Sequence, residues 1–558
     1  MKQHTRERHP VEFEPLVDVK DPKRRASAVE KRLKEKEPNQ VEEVKQALMW
    51  RSIFVPGTED INTVELAEGE TTEPPSFLRA NFQADEIDTI LQHYWTHFHP
   101  LFPLIHRPTF DHRTANCLLV SAMSAVGALH SPQLKIHSAV LFENTLKLIY
   151  ESIIAGASIQ VIQAALILTF YGIYTDRIWF KGSRTLHTQL VAVARETGIL
   201  HSNTHDEFGD EWSSFVASEG RKRTSSCLYM LDSQMATLLN YPPSLTHYEL
   251  KHVLPCSDEL WEAATASEWR SLCYSNLTSA QVIQFLPALQ QTLMYRRCPK
   301  QMSSFGSLTV LLAIHVMIRN MSQYAGILEV PAIHAKDPFS RRSQLGEALN
   351  ALRTLIPNKK RLQGEGGMWE MFIATWNLAY IHLHLPDPVI TSGIVEVTLA
   401  ASIAAAAALA KPHPVHSPGN IVLGNSFSFV PFETLLVMVN HVCYLLRSSA
   451  NLCTEDIVEK SPVFTFMFYK ASLVAWQILN GDIRCSKIEE EEKSEKGSAE
   501  TAYIRRRLID DIMNCVDDDD SDGNDADELE RFEVWTRNVL SSANTWSVGV
   551  AASASFYF

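Results

Sequence analysis

The sequence predicts an all-α protein, a multi-helix bundle or superhelix, on three observations. Apolar residues recur at three- and four-residue steps in successive segments between residues 85 and 480. Residues 395–410 are rich in alanine, the residue with the highest helix propensity. No run of alternating apolar and polar residues is long enough to predict a sheet.

The composition is typical of a globular protein, with 45% apolar and 21% charged residues among 558. The net charge of -14 argues against a large nucleic-acid surface, because binding phosphates needs clustered lysine and arginine. The longest apolar run, 159–174, contains two glutamines and is shorter than the ~20 residues that cross a bilayer. It predicts a buried core helix, so neither a transmembrane segment nor a membrane partner is expected.

The nine cysteines are scattered and form no CxxC pair. The sequence therefore contains neither a zinc ribbon nor a binuclear cysteine cluster. An odd number of scattered cysteines without a signal peptide predicts reduced thiols in an intracellular protein.

The rest of the chain is organised around residues 91–110, LQHYWTHFHPLFPLIHRPTF. Its first half continues a helix for which Asp85 is a candidate N-cap. Pro100, Pro103 and Pro108 then end the helix, because each removes a backbone donor and disfavours helical geometry before it. Since the residues between the prolines are mostly apolar, we expect a buried, extended elbow covered by later helices.

This run resembles the opening signature of the fungal-specific transcription factor domain, an all-helical regulatory region. Further segments fit the same family in order: 118–130 (LLVSAMSAVGALH), 158–174 (SIQVIQAALILTFYGIY), 190–200 (LVAVARETGIL), 211–232 (EWSSFVASEGRKRTSSCLYMLD) and 239–263 (LNYPPSLTHYELKHVLPCSDELWEA). The resemblance covers roughly residues 80–330. We assign the helical regulatory domain to 81–480.

The resemblance implies structural signature residues, with the basic residues of 211–232 and Asp232 bonding between helices. These positions are Phe98, Pro100, Phe102, Pro103, His106, Arg107, Phe110, Trp212, Glu219, Arg223, Asp232, Pro255 and Trp261.

The first ten residues have the spacing of the second half of a two-cysteine, two-histidine zinc finger. His4 and His9 would lie about one helical turn apart, so both imidazoles could reach one zinc ion. In that finger type Gln3 would be a base-reading residue, and Arg6 and Arg8 are further candidate DNA contacts. The two cysteine ligands would lie before Met1, so we expect the chain to start inside a finger. Stable zinc binding by this chain is not expected, because a structural site takes four protein ligands. The alternative is a frayed basic terminus.

Residues 11–80 are predicted to be a linker. The basic run within 20–36 is either a nuclear-import signal or phosphate-contacting arm, or a solvated, partly helical segment. Residues 65–75 are acidic, contain proline and are expected to be disordered.

An acidic low-complexity region is predicted at 486–530, followed by a C-terminal tail at 531–558. Four consecutive aspartates occupy 517–520. Runs of like charge are usually solvated, but hydrophobic residues flank this run, as in activation segments. They are Leu508, Ile509, Ile512, Met513, Leu529, Phe532 and Trp535. Both an activation segment and an acidic linker fit this pattern.

No enzyme is expected, because nucleophile-elbow, phosphate-loop and dinucleotide motifs are all absent from the sequence. The best candidate metal site is the i, i+4 pair His93 and His97, with His99 and His106 nearby. Core or edge histidines are the favoured interpretation, since no HExxH accompanies them.

The sequence and the resemblance together predict a nuclear, DNA-binding regulator of RNA polymerase II transcription. Its expected partners are DNA and the transcription machinery or co-regulators, and a homodimer is a further candidate. One alternative is a finger-less regulator that acts through protein contacts only. Another is a helical small-molecule receptor or enzyme, because helical bundles can hold pockets.

Overall fold

The computed structural model describes residues 84–175, 177–201, 211–275, 283–328, 341–357, 367–411, 432–450, 461–480, 497–516 and 528–556. In this part of the chain there are nineteen α-helices and two 3-10 turns, and no named strand. The all-α prediction is therefore confirmed. The predictions for residues 1–80 lie outside the described residues, as do those for the four aspartates at 517–520.

The N-terminal half of the described chain contains ten helices. They are α1 (Ala84–His97), α2 (Cys117–Leu129), α3 (Lys135–Ala155), α4 (Ile159–Tyr174), α5 (Arg177–Glu196), α6 (Glu211–Leu239), α7 (Asp258–Trp261), α8 (Ala266–Ser275), α9 (Phe285–Tyr295) and α10 (Ser304–Leu328). Helix α1 begins one residue before Asp85, so Asp85 lies inside the first turn and is not the N-cap expected.

The C-terminal half contains nine more helices. They are α11 (Arg341–Arg353), α12 (Gly367–His384), α13 (Pro388–Ser392), α14 (Leu399–Ala410), α15 (Phe432–Ala450), α16 (Pro462–Leu479), α17 (Gly497–Met513), α18 (Glu528–Ser542) and α19 (Ser547–Ser555).

Helices α2 and α4 lie at the centre of the N-terminal half and are buried on nearly all sides. Their starts are fixed by side-chain caps. Asn116 accepts a hydrogen bond from the backbone N–H of Leu118, and Ser158 accepts one from Val161. A Cβ on Gly127 would overlap the carbonyl oxygen of Ile90, so glycine permits the close approach of α1 and α2.

Asn240 connects the two halves at the end of α6. Its φ of 60° lies in the left-handed region, which asparagine tolerates better than most residues. Its side-chain amide donates to the carbonyl oxygens of Val389 and Ile394, both at 2.9 Å. Arg319 of α10 donates to the Asn240 side-chain oxygen at 2.8 Å. One hydrogen-bonded residue thus joins α6, α10 and the segment around α13.

The predicted end of the helical domain at residue 480 is wrong for the described residues. Helix α17 packs against α15, and α18 and α19 pack against α16. The side chains of Leu508, Ile512, Phe532 and Phe556 are buried in the main core. Residues 531–556 are therefore part of the fold and not a tail, because their apolar residues form buried helical faces beside acidic runs.

Two helical segments, Ser304–Tyr324 and Pro462–Leu479, are long and apolar enough to cross a membrane by length and composition. Each is 83% buried within the fold, as expected for core helices. The absence of a transmembrane segment stays a prediction.

Candidate functional site

The elbow after α1 is buried, as the sequence predicts. Phe102 is 1% exposed and packs against Phe98 and Phe170, with ring centroids 5.5 and 5.3 Å away. Pro103 is also buried, whereas Pro100 and Phe110 are half-buried and Arg107 is exposed.

The elbow is not extended throughout, which corrects the sequence-based expectation. It contains two 3-10 turns, His99–Leu101 and Arg107–Thr109. Pro100 and Pro108 lie in the first positions of these turns. Proline fits there because its fixed φ suits a helical start and the missing N–H would have no intrahelical acceptor.

Arg223 of α6 lies beside the elbow and makes hydrogen bonds, ion pairs and a ring contact there. Its side chain is fully buried, and its Nε donates to Glu219 one helical turn earlier at 3.1 Å. One terminal nitrogen donates to the carbonyl oxygen of Cys256 at 3.0 Å and to the carboxylate of Asp258 at 3.2 Å. The guanidinium lies 4.8 Å from the ring centroid of Trp261. Arg223 therefore ties α6 to the segment that enters α7.

The carboxylate of Glu219 completes this network. It is fully buried, accepts from the backbone N–H of Cys256 at 2.8 Å and from Lys222 at 2.8 Å. Burial alone would raise the pKa of Glu219, but Lys222 and Arg223 outweigh it and hold the pKa below its usual value. Burial would likewise lower the pKa of Arg223, yet Asp258 and Glu219 raise it. Both groups therefore stay ionised as a buried pair.

Aromatic rings close the network on the elbow side. The imidazole of His106 lies edge-on to Trp261 and Trp212, at centroid distances of 4.7 and 5.4 Å. Its Nδ1 is hydrogen-bonded to Thr109 at 2.8 Å. Burial lowers the pKa of His106, so the ring is held neutral. The signature residues of the elbow thus contact those of α6 and α7 directly.

Asp232 lies on the same helix but makes a separate contact. It is 3% exposed and accepts from the backbone N–H groups of Ser244 and Leu245 at 2.9 and 3.0 Å. His187 of α5 lies 3.4 Å from its carboxylate. Asp232 therefore fixes the loop after α6 beside α5. Pro255 contributes through its backbone carbonyl, which accepts from Ser303 at 2.6 Å.

Sequence reasoning missed three parts of this site. Asp258 is the second carboxylate on Arg223, and Glu262 lies 3.7 Å from His99. Gln163 of α4 donates to the Leu104 carbonyl at 3.1 Å and so holds the elbow from below. The signal for Asp258 was its position at the start of a short helical pattern, where acidic residues are favoured. No local pattern marks Gln163.

A cleft of about 230 Å³ lies beside the elbow. It is lined by the elbow, the first turns of α4 and the middle of α6, including Ile105, Gln160 and Ala217. Its volume is below the ~300–1,000 Å³ of most small-molecule sites. The cleft alone does not define a ligand.

The structure divides the histidines that sequence spacing had grouped. His97 stacks on His130 at 4.8 Å, and His93 lies alongside at 5.8 Å. His99 and His106 instead face Glu262 and Trp261. No group of three or more potential metal ligands occurs among the described residues. The site as a whole can cross-link helices. The charges of Arg223, Glu219 and Asp258 pair with one another.

These features define a helical domain held by one buried signature cluster, and comparison with known proteins gives its class. The family model described as the fungal specific transcription factor domain matches residues 91–325. This range contains every signature position from Phe98 to Trp261. The expected resemblance to the fungal specific transcription factor domain is therefore confirmed over residues 91–325.

Several curated relatives carry matching names. The chain is 28% identical over 335 residues to "Transcription factor verF" of Penicillium polonicum, covering 55% of this chain and 43% of the relative. It is 23% identical to a "Transcription factor" of Gibberella fujikuroi, covering 40% and 31%. It is 26% identical to "Zinc finger protein klf1" of Schizosaccharomyces pombe, covering 40% and 30%.

The chain thus spans less than half the length of these relatives. No solved structure matches the chain.

Proposed function

We propose that this protein is a nuclear regulator of RNA polymerase II transcription whose helical domain controls a DNA-bound complex. The observation that carries the proposal is the match of residues 91–325 to the fungal specific transcription factor domain. The relatives named as transcription factors support it. The described residues contribute a folded, cross-linked helical domain, which suits regulation through protein contacts better than catalysis.

DNA binding would come from an N-terminal zinc finger of which His4 and His9 are the histidine ligands. Gln3, Arg6 and Arg8 would then face DNA. Relatives named as zinc finger proteins support this part of the proposal. The two cysteine ligands would have to be supplied by residues that precede Met1 in a longer chain. Sequencing the genomic DNA upstream of Met1 tests this directly, since an in-frame CxxC-type pair about a dozen residues before His4 is required.

Residues 1–558 on their own should bind DNA weakly and without sequence preference. The basic residues near its N-terminus are Arg6, Arg8 and the run at 20–36, which would provide only phosphate contacts. Such contacts give dissociation constants of about 10⁻⁴–10⁻⁶ M. A shift assay at physiological salt measures this, and nanomolar, sequence-selective binding would contradict it.

A reporter experiment tests the regulatory function itself. The full chain is fused to an unrelated DNA-binding module and expressed in a fungal cell with a matching reporter. We expect nuclear fluorescence and a reporter level different from that of the module alone. Arg223→Ala should reduce the difference by destabilising the domain, whereas the exposed-pair variant Arg195→Ala should retain it. A reporter level equal to that of the module, with the fusion folded and nuclear, would refute a regulatory role.

A further inference from the structure

Two buried thiols lie together where the C-terminal acidic region meets the helical core. Cys443 is in the middle of α15, and Cys515 follows the last residues of α17. They are 3% and 4% exposed. The sulfur of Cys443 lies 3.3 Å from the carbonyl oxygen of Asp511, and the sulfur of Cys515 lies 3.4 Å from the same oxygen. The sulfur of Cys515 also lies 3.9 Å from the carbonyl oxygen of Cys443, so the two cysteines are neighbours although 72 positions separate them.

The surroundings of the pair favour ionisation of one thiol over the other. The neighbouring Cys443 thiol and the guanidinium of Arg447 lower the pKa of Cys515 despite its burial. The same contact with Cys515, together with burial, raises the pKa of Cys443. The nearby carboxylate of Asp511 acts against ionisation of both thiols. Cys515 is therefore the thiol that would act as the nucleophile, and Cys443 is the thiol that would attack it in the second step.

Arg447 is the exposed group that acts on this pair. It is one turn after Cys443 on α15 and is exposed, and its charge acts on the Cys515 sulfur. A small oxidant such as hydrogen peroxide would have to reach the sulfur past this flexible side chain.

We propose that Cys443 and Cys515 form an oxidation site that closes to a disulfide between α15 and α17 when the protein meets a hydroperoxide. The Cys515 thiolate attacks the peroxide O–O bond, which gives the sulfenic acid and, with one proton, releases water. The Cys443 thiol then displaces hydroxide from the sulfenic sulfur, and its proton completes a second water. Two thiols and one hydrogen peroxide become one disulfide and two waters.

The disulfide would fix the segment that precedes the four aspartates. Helix α17 is joined to the core through buried Leu508 and Ile512, and residues 481–496 and 517–527 flank it. A covalent link at Cys515 would prevent α17 from leaving α15 without opening the helical core. Reduction of the disulfide would restore that freedom.

The test is made on the full chain, reduced and then treated with stoichiometric hydrogen peroxide. We expect the intact mass to fall by two hydrogens. Digestion without reductant should yield a linked peptide pair containing Cys443 and Cys515, which separates on addition of a thiol. Cys443→Ser should instead accumulate sulfenic acid at Cys515, which a dimedone-type reagent traps. Cys273→Ser, at a half-buried position on α8, is the matched control and should form the same linked pair as wild type.

A second readout does not depend on the variants folding. Amide hydrogen exchange of α17 in the wild-type protein should slow after peroxide treatment and recover after reduction. The proposal is overturned if folded wild-type protein is oxidised without yielding the Cys443–Cys515 pair. It is also overturned if the pair stays reduced while other cysteines of the chain are consumed, or if Cys515 is labelled equally in wild type and in Cys443→Ser.

Discussion

The two halves of the molecule bury their charges in different ways. In the N-terminal half, Arg223 has carboxylate partners on its own helix and at the start of α7, and its guanidinium stacks on Trp261. In the C-terminal half, Lys470 of α16 bonds a single carboxylate, that of Asp387, at 2.6 Å. That carboxylate lies 3.9 Å from His382, which is hydrogen-bonded to His315 at 3.0 Å.

This difference shows which parts of the chain each buried charge network holds together. The Arg223 network joins α6 to α7, the next helix along the chain, and contacts the elbow through Trp261. The Lys470–Asp387 pair joins residues 83 positions apart, and Asp387 also caps α13 through the Val389 N–H at 2.9 Å. The first network stabilises a local signature, whereas the second closes a long-range contact.

The largest effect is expected from Arg223→Ala. The variant leaves Glu219 buried beside Lys222 alone, and breaking a buried pair in this way costs about 3–5 kcal/mol. Urea unfolding measures the loss in free energy of unfolding. Lys222→Ala is the control, because its side chain is 20% exposed and Arg223 still neutralises Glu219. Equal losses in the two variants would contradict the central place of Arg223.

Much of this N-terminal site could be predicted from sequence, because its pieces are local. Glu219 and Arg223 are four residues apart on one helix, and the proline spacing of 100–108 predicts an interruption with apolar residues that must be buried. The turns at Pro100 and Pro108 could not be predicted, since an extended elbow and a 3-10 turn both satisfy proline. The Lys470–Asp387 pair has no local pattern at all. Helices α17–α19 were missed because acidic composition was weighted above the helical spacing of their apolar residues.

Phe102→Ala should cause the next largest loss of stability. It tests whether the elbow is part of the core. Removing a buried phenylalanine costs about 3–5 kcal/mol through lost contacts and a cavity. Thermal unfolding of Phe110→Ala is the matched control, since that ring is half-buried and should cost less. His97→Ala should also be milder and should release no metal, which elemental analysis of the wild-type protein checks. Wild-type stability in Phe102→Ala would mean that the elbow is not part of the core.

Lys470→Met should cost less than Arg223→Ala, about 2–3 kcal/mol for a lost bond to a charged group. Asp387 keeps its backbone contact in this variant, and His382 can take up a proton to replace the lysine charge. Urea unfolding at neutral pH measures the loss. A loss equal to or greater than that of Arg223→Ala would remove the distinction between the two halves.

The smallest effects are expected in the pH dependence, where His382 and Asp232 act with opposite signs. Burial lowers the pKa of His382 to about 4 and raises the pKa of Asp232 to about 6. Between about pH 4 and 6, His382 binds fewer protons in the folded chain than when unfolded, so it makes stability fall as pH falls. Asp232 binds more protons in the folded chain over this range, so it opposes that fall.

The two variants should therefore change the slope of unfolding free energy against pH in opposite directions. His382→Asn should flatten the slope between pH 4 and 6, and Asp232→Asn should steepen it, each by up to about 1.4 kcal/mol per pH unit. Urea unfolding at several pH values measures both. Slopes that change in the same direction would contradict the assignment of these protons.

The central claim is that the described helices, including those after residue 480, share one core. Native-state amide exchange of the reduced full chain tests it most directly. Amides of α18 and α19 should be protected to the same degree as those of α16, since Phe532, Trp546 and Phe556 are buried with it. Exchange of α18 and α19 at the rate of an unfolded peptide, with α16 still protected, would contradict the account and return residues 531–558 to a tail.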